Sequence, residues 1–292
     1  MEQGYGRWPE SVWQSNTLDW KKSETIVAGI DVGTTSSQAV ILCDGELFGY
    51  ANIYTGSDFP TIAEKVLQKA IGDSGMTLKD ISAIGATGFG RKNVAFASGV
   101  FDEITCHGKG ARFMFGPTVS TIVDLGAQNT KAIRMYEWDR LRDFKTNDKC
   151  ATGMGRSFEM MSNILQVPIE EFGEKSLGVE KDPEPSSTTC FNFAFPETYG
   201  LIRQGFKEEK YDENEVLASY AFAVAWRILG TIGKLQPLDI GDISVYEDLA
   251  FTGGLAKNVG VTKRIEKELN VSALSSDIDP QLAGAIGAAL QV

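Results

Sequence analysis

Long hydrophobic runs are missing from this 292-residue sequence. No stretch reaches the roughly eighteen apolar residues that a membrane-spanning helix needs. The most apolar helical stretch, residues 217–232, carries Arg227, so we interpret it as a buried helix rather than a membrane span. The N-terminus also lacks the apolar core of a signal peptide, which favours a cytoplasmic protein.

Positive charge is scarce as well. The 28 lysines and arginines are outnumbered by 39 aspartates and glutamates, which gives a formal net charge of −11. Proteins that bind nucleic acid neutralise its phosphates with basic patches. The acidic balance therefore argues against nucleic acid as a main partner, and otherwise favours solubility.

Closely spaced cysteines are the third absence. The four cysteines, Cys43, Cys106, Cys150 and Cys190, lie far apart and form no C-x-x-C pair. This excludes a zinc ribbon and a ferredoxin-type cysteine run. In a cytoplasmic chain disulfides are not expected either. For each cysteine, the alternative to a functional role is that it is simply a buried free thiol.

The composition of the chain is that of an ordinary globular protein, with 42% hydrophobic and 23% charged residues, and its length fits two domains.

Residues 1–24 differ in composition from the rest of the chain. They hold three of the five tryptophans, Trp8, Trp13 and Trp20, and are interrupted by Pro9. Two interpretations remain open: a flexible tail, or an arm whose aromatic side chains anchor on a partner.

A strand–turn–strand pattern begins at residue 25 and recurs further along the chain. The first copy contains the letters IDVGTTSS and the second VDLGAQNT, each with an aspartate, a glycine and then hydroxyl or amide residues. Two copies of one supersecondary unit predict two related domains. We expect an α/β fold with domains at residues 25–117 and 118–292, the C-terminal helix packing back towards the first domain.

The two glycine turns have the composition of a phosphate-binding site. Gly33 and Gly126 permit close approach of phosphate oxygens to backbone N–H groups. Asp31 and Asp124 precede the turns and are candidates to hold Mg²⁺, directly or through water. The first turn adds the hydroxyl donors Thr34, Thr35, Ser36 and Ser37. Taken singly, each turn is also compatible with an ordinary hairpin.

A third glycine turn lies in the letters FTGGLAKN. Gly253 and Gly254 follow a predicted strand and precede a predicted helix. Such a turn leaves room for a flat adenine and a ribose against the backbone. Asn258 is a candidate either to cap the helix or to contact the nucleoside.

In this order and spacing, the three turns resemble the actin, Hsp70 and sugar-kinase superfamily, over nearly all of the chain from residue 25. Residues 31–37 and 124–130 are similar to its two phosphate loops, 252–258 to its adenosine motif and 280–287 to its connecting helix. The resemblance implies two ribonuclease-H-like domains with ATP in the cleft between them. A γ-phosphate touched by both loops would hold such a cleft closed until hydrolysis.

Two cysteines occur in segments with a second resemblance. Cys150 lies in NDKCATGMGR, before a predicted helix, and Cys190 lies in SSTTCFNFAFPE, after a run typical of helix caps. A helix N-terminus favours a thiolate. Two thiolates cannot complete the four ligands of a [4Fe–4S] cluster, whereas two subunits can.

These segments, with CHGKGA at residues 106–111 and GGLAKNVGV at 253–261, are similar to the ATPases that activate 2-hydroxyacyl-CoA dehydratases and to the ATP-binding subunits of benzoyl-CoA reductase. The resemblance implies that Cys150 and Cys190 ligate a [4Fe–4S] cluster shared between two subunits. It also implies ATP hydrolysis with Mg²⁺, ferredoxin as the electron donor and a separate catalytic reductase module. Cys43 lies in a predicted strand and matches no ligand motif, whereas Cys106 and His107 are interpreted as structural or interdomain residues.

The sequence departs from the family pattern at two places. The second phosphate loop of the family reads Gly-Gly-Gln-Asp, whereas here it is Gly126, Ala127, Gln128 and Asn129. Gln128 remains able to orient an attacking water. The residues after Cys190 differ as well. Both departures favour one member of a heterodimer, so we rank the small ATP-binding subunit of a benzoyl-CoA reductase first and a homodimeric dehydratase activator second.

Two other classes share the fold. A small-molecule kinase would need a substrate pocket with a catalytic carboxylate and would have no use for Cys150 and Cys190. A non-catalytic scaffold of the actin type would lack ATP turnover and a reducible cluster.

Overall fold

The structure is a computed structural model that describes residues 4–136, 139–183, 196–200, 212–235 and 248–292. Its contacts divide the chain into two units, which we describe one at a time. The first unit comprises Pro9–Ile122, Met135–Arg142 and Ser275–Val292. The second comprises Met1–Trp8, Val123–Arg134 and Asp143–Leu274.

A six-stranded sheet forms the first unit. Its strands in chain order are β1 (Ser11–Gln14), β2 (Ile26–Val32), β3 (Ser36–Cys43), β4 (Glu46–Tyr54), β5 (Ala83–Thr87) and β6 (Gly99–Val100). In space the order is β1-β4-β3-β2-β5-β6. The hairpin strands β2, β3 and β4 pair antiparallel, whereas β2 pairs parallel with β5 and β5 with β6.

Helices cover both faces of this sheet. They are α1 (Phe59–Ile71), α2 (Glu103–Phe115) and the C-terminal helix, which we number α7 (Ala283–Ala289). Ala39 and Ile41 of β3 belong to the apolar core that contains α1, while Val40 and Leu42 belong to the core that contains α7. The strand is therefore apolar at every position from Ala39 to Cys43, because successive side chains alternate between two buried faces.

Small residues let the C-terminal helix approach the sheet closely. A Cβ atom at Gly29 would lie 1.9 Å from the carbonyl oxygen of Ala285. One at Gly85 would lie 2.1 Å from that of Ala288, and one at Gly287 would lie 1.8 Å from that of Cys106. The glycines of this helix and its neighbours are thus required by backbone-to-backbone packing.

The second sheet has four strands in the order β10-β7-β8-β9. They are β7 (Thr121–Leu125), β8 (Thr130–Tyr136), β9 (Arg140–Thr146) and β10 (Leu249–Thr252). The helices of this unit are α3 (Met154–Leu165), α4 (Ile169–Leu177), α5 (Glu213–Ile232) and α6 (Val259–Leu269). Asp212 begins α5 with a capping box, accepting a hydrogen bond from the N–H of Glu215.

Three aromatic rings join helices α3, α4 and α5. Phe158 lies 4.9 Å from Phe172 and 5.1 Å from Tyr220 between ring centroids, in edge-to-face arrangements. Burial raises the pKa of the Tyr220 hydroxyl. These rings lie in the core cluster that also holds strands β7 and β10.

Helix α5 is long and apolar enough, by length and composition, to cross a membrane. It is the one such helix in the described ranges, and 67% of its apolar window is buried inside the molecule. Leu217, Val224 and Ile228 belong to the apolar core. This agrees with the interpretation of residues 217–232 as a buried helix.

Candidate functional site

The first predicted phosphate loop joins β2 to β3. A Cβ atom at Gly33 would lie 2.5 Å from the carbonyl oxygen of Ser36, so the turn accepts only glycine without a shift. Thr55 fixes the turn from the end of β4: its hydroxyl donates to the Gly33 carbonyl at 3.0 Å, and its N–H donates to the Thr35 carbonyl at 2.9 Å. Thr34 is exposed at the tip.

The Ser36 hydroxyl belongs to a polar network that the sequence did not reveal. Its oxygen accepts hydrogen bonds from Gln38 Nε2 at 2.8 Å and Gln281 Nε2 at 3.0 Å. Asn52 links the two amides, accepting from Gln38 at 2.8 Å and donating to Gln281 at 2.9 Å. A hydroxyl has two lone pairs and one hydrogen, so Ser36 can accept both of these hydrogen bonds and still donate its own hydrogen. The one signal in the sequence is that each of two largely apolar strands carries an amide side chain, Gln38 on β3 and Asn52 on β4.

Asp31 is the second-last residue of β2 and is nearly buried, at 8% exposure. Two glycines make room for its carboxylate: a Cβ atom at Gly88 would lie 2.2 Å from Oδ1, and one at Gly284 would lie 2.1 Å from Oδ2. His107 Nε2 lies 3.9 Å from Oδ2. The sole histidine of the chain, interpreted from sequence as structural or interdomain, therefore lies beside a predicted Mg²⁺ residue.

The second predicted phosphate loop has the same close backbone contact as the first. A Cβ atom at Gly126 would lie 2.8 Å from the carbonyl oxygen of Asn129, the residue three positions later, as Ser36 is to Gly33. The Gly126 N–H also donates to that carbonyl at 3.2 Å. The two sequence copies thus make the same tight turn.

Asp124 is the second-last residue of β7, is 2% exposed and forms an ion pair with Lys131 of β8. Lys131 Nζ lies 2.7 Å from Asp124 Oδ2. The other oxygen faces the third glycine turn, because a Cβ atom at Gly253 would lie 2.6 Å from Oδ1. Nothing in the sequence singles out Lys131, since a lysine in a strand is ordinarily exposed.

The third glycine turn follows β10. Gly253 has a φ of +87° and lies against the carbonyl of Leu125, so both its conformation and its surroundings require glycine. Gly254 opens a short 3₁₀ turn, Gly254–Lys257, and Asn258 begins α6. Asn258 Oδ1 accepts from the N–H of Val261 at 3.2 Å, which is the capping role predicted as one alternative. Its buried Nδ2 has no hydrogen-bond partner among the described residues.

The segment that carries Cys150 is hydrogen-bonded to the second predicted phosphate loop. The N–H of Gly153 donates to the Gln128 carbonyl at 2.7 Å, and the N–H of Arg156 donates to the Ala127 carbonyl at 2.9 Å. These two donors belong to the start of α3. The first turn of the helix after Cys150 is therefore joined directly to the loop.

The cysteines differ in exposure. Cys150 is exposed in the 3₁₀ turn Lys149–Ala151, whereas Cys43 and Cys106 are buried. Burial raises the pKa of the Cys106 thiol to about 12 and also raises that of Cys43, so both favour the protonated form. Cys190 lies outside the described residues.

An iron–sulfur cluster is compatible with this arrangement of thiols. A cluster needs accessible thiolates, and the exposed Cys150 fits that requirement. Nowhere in the described ranges do three or more His, Cys, Asp or Glu residues converge as a metal site.

The predicted nucleotide residues fall into two groups, one in each unit. The first unit contains Asp31, Gly33, Thr34, Thr35 and Ser36. The second unit contains Asp124, Gly126, Ala127, Gln128, Asn129, Gly253, Gly254 and Asn258, together with Cys150.

Comparison with known proteins gives a family match. Residues 28–292 match the model of the BadF/BadG/BcrA/BcrD ATPase family. The chain is 37% identical over 267 residues to the activator of lactoyl-CoA dehydratase from Anaerotignum propionicum, covering 90% of this chain and 95% of that one. It is 33% identical over 262 residues to the 2-hydroxyisocaproyl-CoA dehydratase activator from Clostridioides difficile, covering 90% and 92%.

Solved structures confirm the predicted fold class. Component A of the (R)-2-hydroxyglutaryl-CoA dehydratase from Acidaminococcus fermentans aligns with a TM-score of 0.81 at 31% identity, covering 92% of this chain and 98% of that one. The activator of the 2-hydroxyisocaproyl-CoA dehydratase from Clostridium difficile, with bound ADPNP, aligns at 0.79 and 31%, covering 91% and 94%. A glucokinase of the ROK family from Streptomyces griseus shares the fold alone, at 0.52 and 13%, covering 91% and 99%.

The relatives reverse the order of the two predicted functions. The benzoyl-CoA reductase polypeptide of Thauera aromatica that matches this chain is 27% identical over 276 residues, covering 91% of this chain and 92% of that one. The dehydratase activators are more similar, at 33% and 37%. The prediction that ranked the benzoyl-CoA reductase component first is therefore less well supported than its alternative, the dehydratase activator.

Proposed function

Because the chain belongs to the BadF/BadG/BcrA/BcrD ATPase family, we propose that it is an ATP-hydrolysing activator that delivers low-potential electrons to a 2-hydroxyacyl-CoA dehydratase. Two relatives of that kind are 33% and 37% identical to it over 262 and 267 aligned residues. The electrons would come from ferredoxin and pass through a [4Fe–4S] cluster held between two copies of the chain in the cytoplasm.

The observation that carries this proposal is the pair of hydrogen bonds between the second phosphate loop and the helix after Cys150. Carbonyl oxygens of Ala127 and Gln128 accept from the N–H groups of Arg156 and Gly153, at 2.9 Å and 2.7 Å. A loop that moves when a γ-phosphate is lost would draw these donors with it. A sugar kinase has no need for such a connection to an exposed thiol.

For the nucleotide, we propose roles that follow from chemistry at each turn. Gly33 and Gly126 bring backbone N–H groups close to the phosphates, and Thr34, Thr35 and Ser36 add hydroxyl donors. Asp31 and Asp124 would hold Mg²⁺, directly or through water. Gln128 would orient the attacking water, while Ala127 and Asn129 complete the second loop.

The adenosine would lie against Gly253 and Gly254. The unpartnered Nδ2 of Asn258 supports a polar contact near this turn, because a buried amide donor without a partner is unfavourable. Asn129 stands where the family has aspartate, so the carboxylate chemistry of this site would rest on Asp31 and Asp124.

For the electron, Cys150 and Cys190 of two chains would supply four thiolates to the cluster. When bound, the cluster supplies one-electron transfer. The protein's own contribution is to hold the thiolates and to move the Cys150 segment in response to the nucleotide.

A second candidate is the ATP-binding subunit of a benzoyl-CoA reductase, paired with a homologous subunit in a heterodimer. It is favoured by the relative from Thauera aromatica and by the departures at Asn129 and after Cys190. The two candidates differ in partner and final substrate, but use the same ATPase and cluster chemistry.

The test is anaerobic purification followed by three measurements. We expect a brown protein with about four irons per two chains, ATP hydrolysis, and activation of a 2-hydroxyacyl-CoA dehydratase rather than of benzoyl-CoA reduction. Cys150→Ala should lose the iron while Cys43→Ala, the same change at a buried thiol, keeps it. Asp31→Asn should abolish ATP hydrolysis and leave the iron in place.

Two results would overturn the proposal. One is a colourless protein that phosphorylates a metabolite, which would indicate a kinase. The other is a cluster-containing protein that supports benzoyl-CoA reduction and no dehydration, which would establish the second candidate.

A further inference from the structure

Residues 4–8 precede the part of the chain that matches the family, which begins at residue 28. In the structure they are bound to the second unit. The N–H of Ile169, at the start of α4, donates to the Tyr5 carbonyl at 2.8 Å. The N–H of Gly6 donates to Asn163 Oδ1 of α3 at 3.2 Å, and Asn163 Nδ2 donates to the Glu159 carbonyl at 2.7 Å. The segment is thus hydrogen-bonded to the helix that follows Cys150.

Gly6 is the residue that permits this docking. It is buried although its chain neighbours are exposed. A Cβ atom on it would lie 1.8 Å from the Glu159 carbonyl oxygen and 2.5 Å from Asn163 Nδ2. No side chain is accommodated at those distances without moving the segment away from α3.

Arg7 brings a positive charge close to the same helix, α3. Glu159 of α3 is 7% exposed and forms an ion pair with Arg156, and Arg7 is a second positive charge close to it. Burial raises the pKa of Glu159, and the two arginines oppose that effect. Arg156 is also the residue whose N–H bonds to the Ala127 carbonyl of the second phosphate loop.

Trp8 reaches the third glycine turn. Lys257 Nζ lies 5.0 Å from the centroid of the Trp8 ring, within the range of a cation–π contact. Lys257 ends the turn Gly254–Lys257, immediately before Asn258. Over three residues, the chain therefore contacts both the helix after Cys150 and the predicted adenosine turn.

We propose that residues 6–8 are positioning residues that connect the adenosine turn to helix α3. Through this connection, nucleotide binding at the turn changes the reactivity of Cys150. This inference rests on the proposed function. It differs from the phosphate-loop connection because it depends on the adenosine end of the nucleotide and requires no γ-phosphate. ADP is the probe that separates the two, since it carries the adenosine and lacks the γ-phosphate.

The variants follow from the contacts. Gly6→Ala displaces the segment from α3, Trp8→Ala removes the contact with Lys257, and Trp8→Phe retains an aromatic face. Gly230→Ala in α5 is the matched control, because a Cβ atom there has no neighbour within 4 Å. None of these residues has a role in the proposed catalytic chemistry.

The experiment uses the full chain without its cluster, so that the readouts do not depend on electron transfer. ADP affinity is measured by titration, and the alkylation rate of Cys150 is measured with and without ADP. We expect Gly6→Ala and Trp8→Ala to weaken ADP binding about two- to five-fold, the size of one cation–π contact. We expect both variants to lose the effect of ADP on Cys150 alkylation, and Trp8→Phe to keep most of it.

The inference is overturned if Gly6→Ala and Trp8→Ala behave as Gly230→Ala does in both readouts. It is also overturned if ADP has no effect on Cys150 alkylation in the unaltered protein. Failure of the proposed function would look different: the anaerobically purified protein would hold no iron or would not hydrolyse ATP, whatever the state of residues 6–8.

Discussion

The N–H of Gly153 donates a 2.7 Å hydrogen bond to the carbonyl oxygen of Gln128. Gly153 adopts a left-handed conformation at the start of α3, with a φ of +88°. Gln128 lies in the loop predicted to meet the γ-phosphate. A residue of the predicted ATPase centre and the residue three positions after an exposed cysteine are therefore joined backbone to backbone.

This junction is sensitive to added volume at Gly155. A Cβ atom there would lie 2.6 Å from the Gly126 carbonyl oxygen and 2.8 Å from Ala127 Cα. We expect Gly155→Ala to lower the free energy of unfolding by about 1–3 kcal/mol and to weaken ATP binding, because backbone atoms of the loop must shift. Urea denaturation and nucleotide titration measure the two effects. Gly230→Ala, which adds the same methyl group in open space, should change neither. An unaltered ATP affinity in Gly155→Ala would contradict the prediction.

The buried ion pair of Asp124 and Lys131 makes a second prediction. Lys131→Met leaves the Asp124 carboxylate, 2% exposed, without its cation, so we expect the free energy of unfolding to fall by about 3 kcal/mol. Lys263→Met is a suitable control, because Lys263 pairs with Glu266 at the same 2.7 Å while 61% of its side chain is exposed. That variant should lose about 1 kcal/mol or less. Equal losses of unfolding free energy in the two variants would contradict the prediction that burial makes the Asp124–Lys131 pair the more important one.

Glu159 gives a pH dependence with a defined sign. Burial raises its pKa, against the opposing charges of Arg156 and Arg7. Folding therefore favours the protonated form. The stability this contributes is present below the ordinary glutamate pKa and is lost as the pH rises through the raised value. We expect Glu159→Gln to gain stability relative to the unaltered protein as the pH rises through that range.

Urea denaturation over a series of pH values measures this trend. The slope with pH is the test, since Glu159→Gln also changes the contacts with both arginines and so shifts the absolute stability. A Glu159→Gln difference that falls with rising pH would contradict the assigned direction.

Thiol reactivity is the fourth prediction. Cys150 is exposed, whereas Cys43 and Cys106 are buried and the Cys106 pKa is raised to about 12. In cluster-free protein at neutral pH we expect Cys150 to be alkylated readily, and Cys43 and Cys106 only after unfolding. Mass spectrometry of peptides after timed alkylation measures each site. Removal of iron from anaerobically purified protein should expose Cys150 to reagent, and equal reactivity before and after removal would argue against its being a ligand.

Short-range features were predictable because neighbouring residues specify them. The two tight turns at Gly33 and Gly126 depend on glycine and on the residues next to it within one segment. The fold class followed from the order of these segments. The order of the two candidate functions did not, because departures at Asn129 and after Cys190 are local and do not report similarity over the whole chain.

The sequence by itself determined the strands and the tight turns, and it contains the residues predicted to bind a nucleotide and a cluster, since each of these features depends on a few consecutive side chains. Only the tertiary structure decided that Lys131 faces Asp124, that Cys150 is exposed while Cys106 is buried, and that Gly6 lies against α3, 157 positions before its partner Asn163. Those outcomes depend on which distant segments pack together, and packing is decided by the burial of whole faces rather than by local pattern.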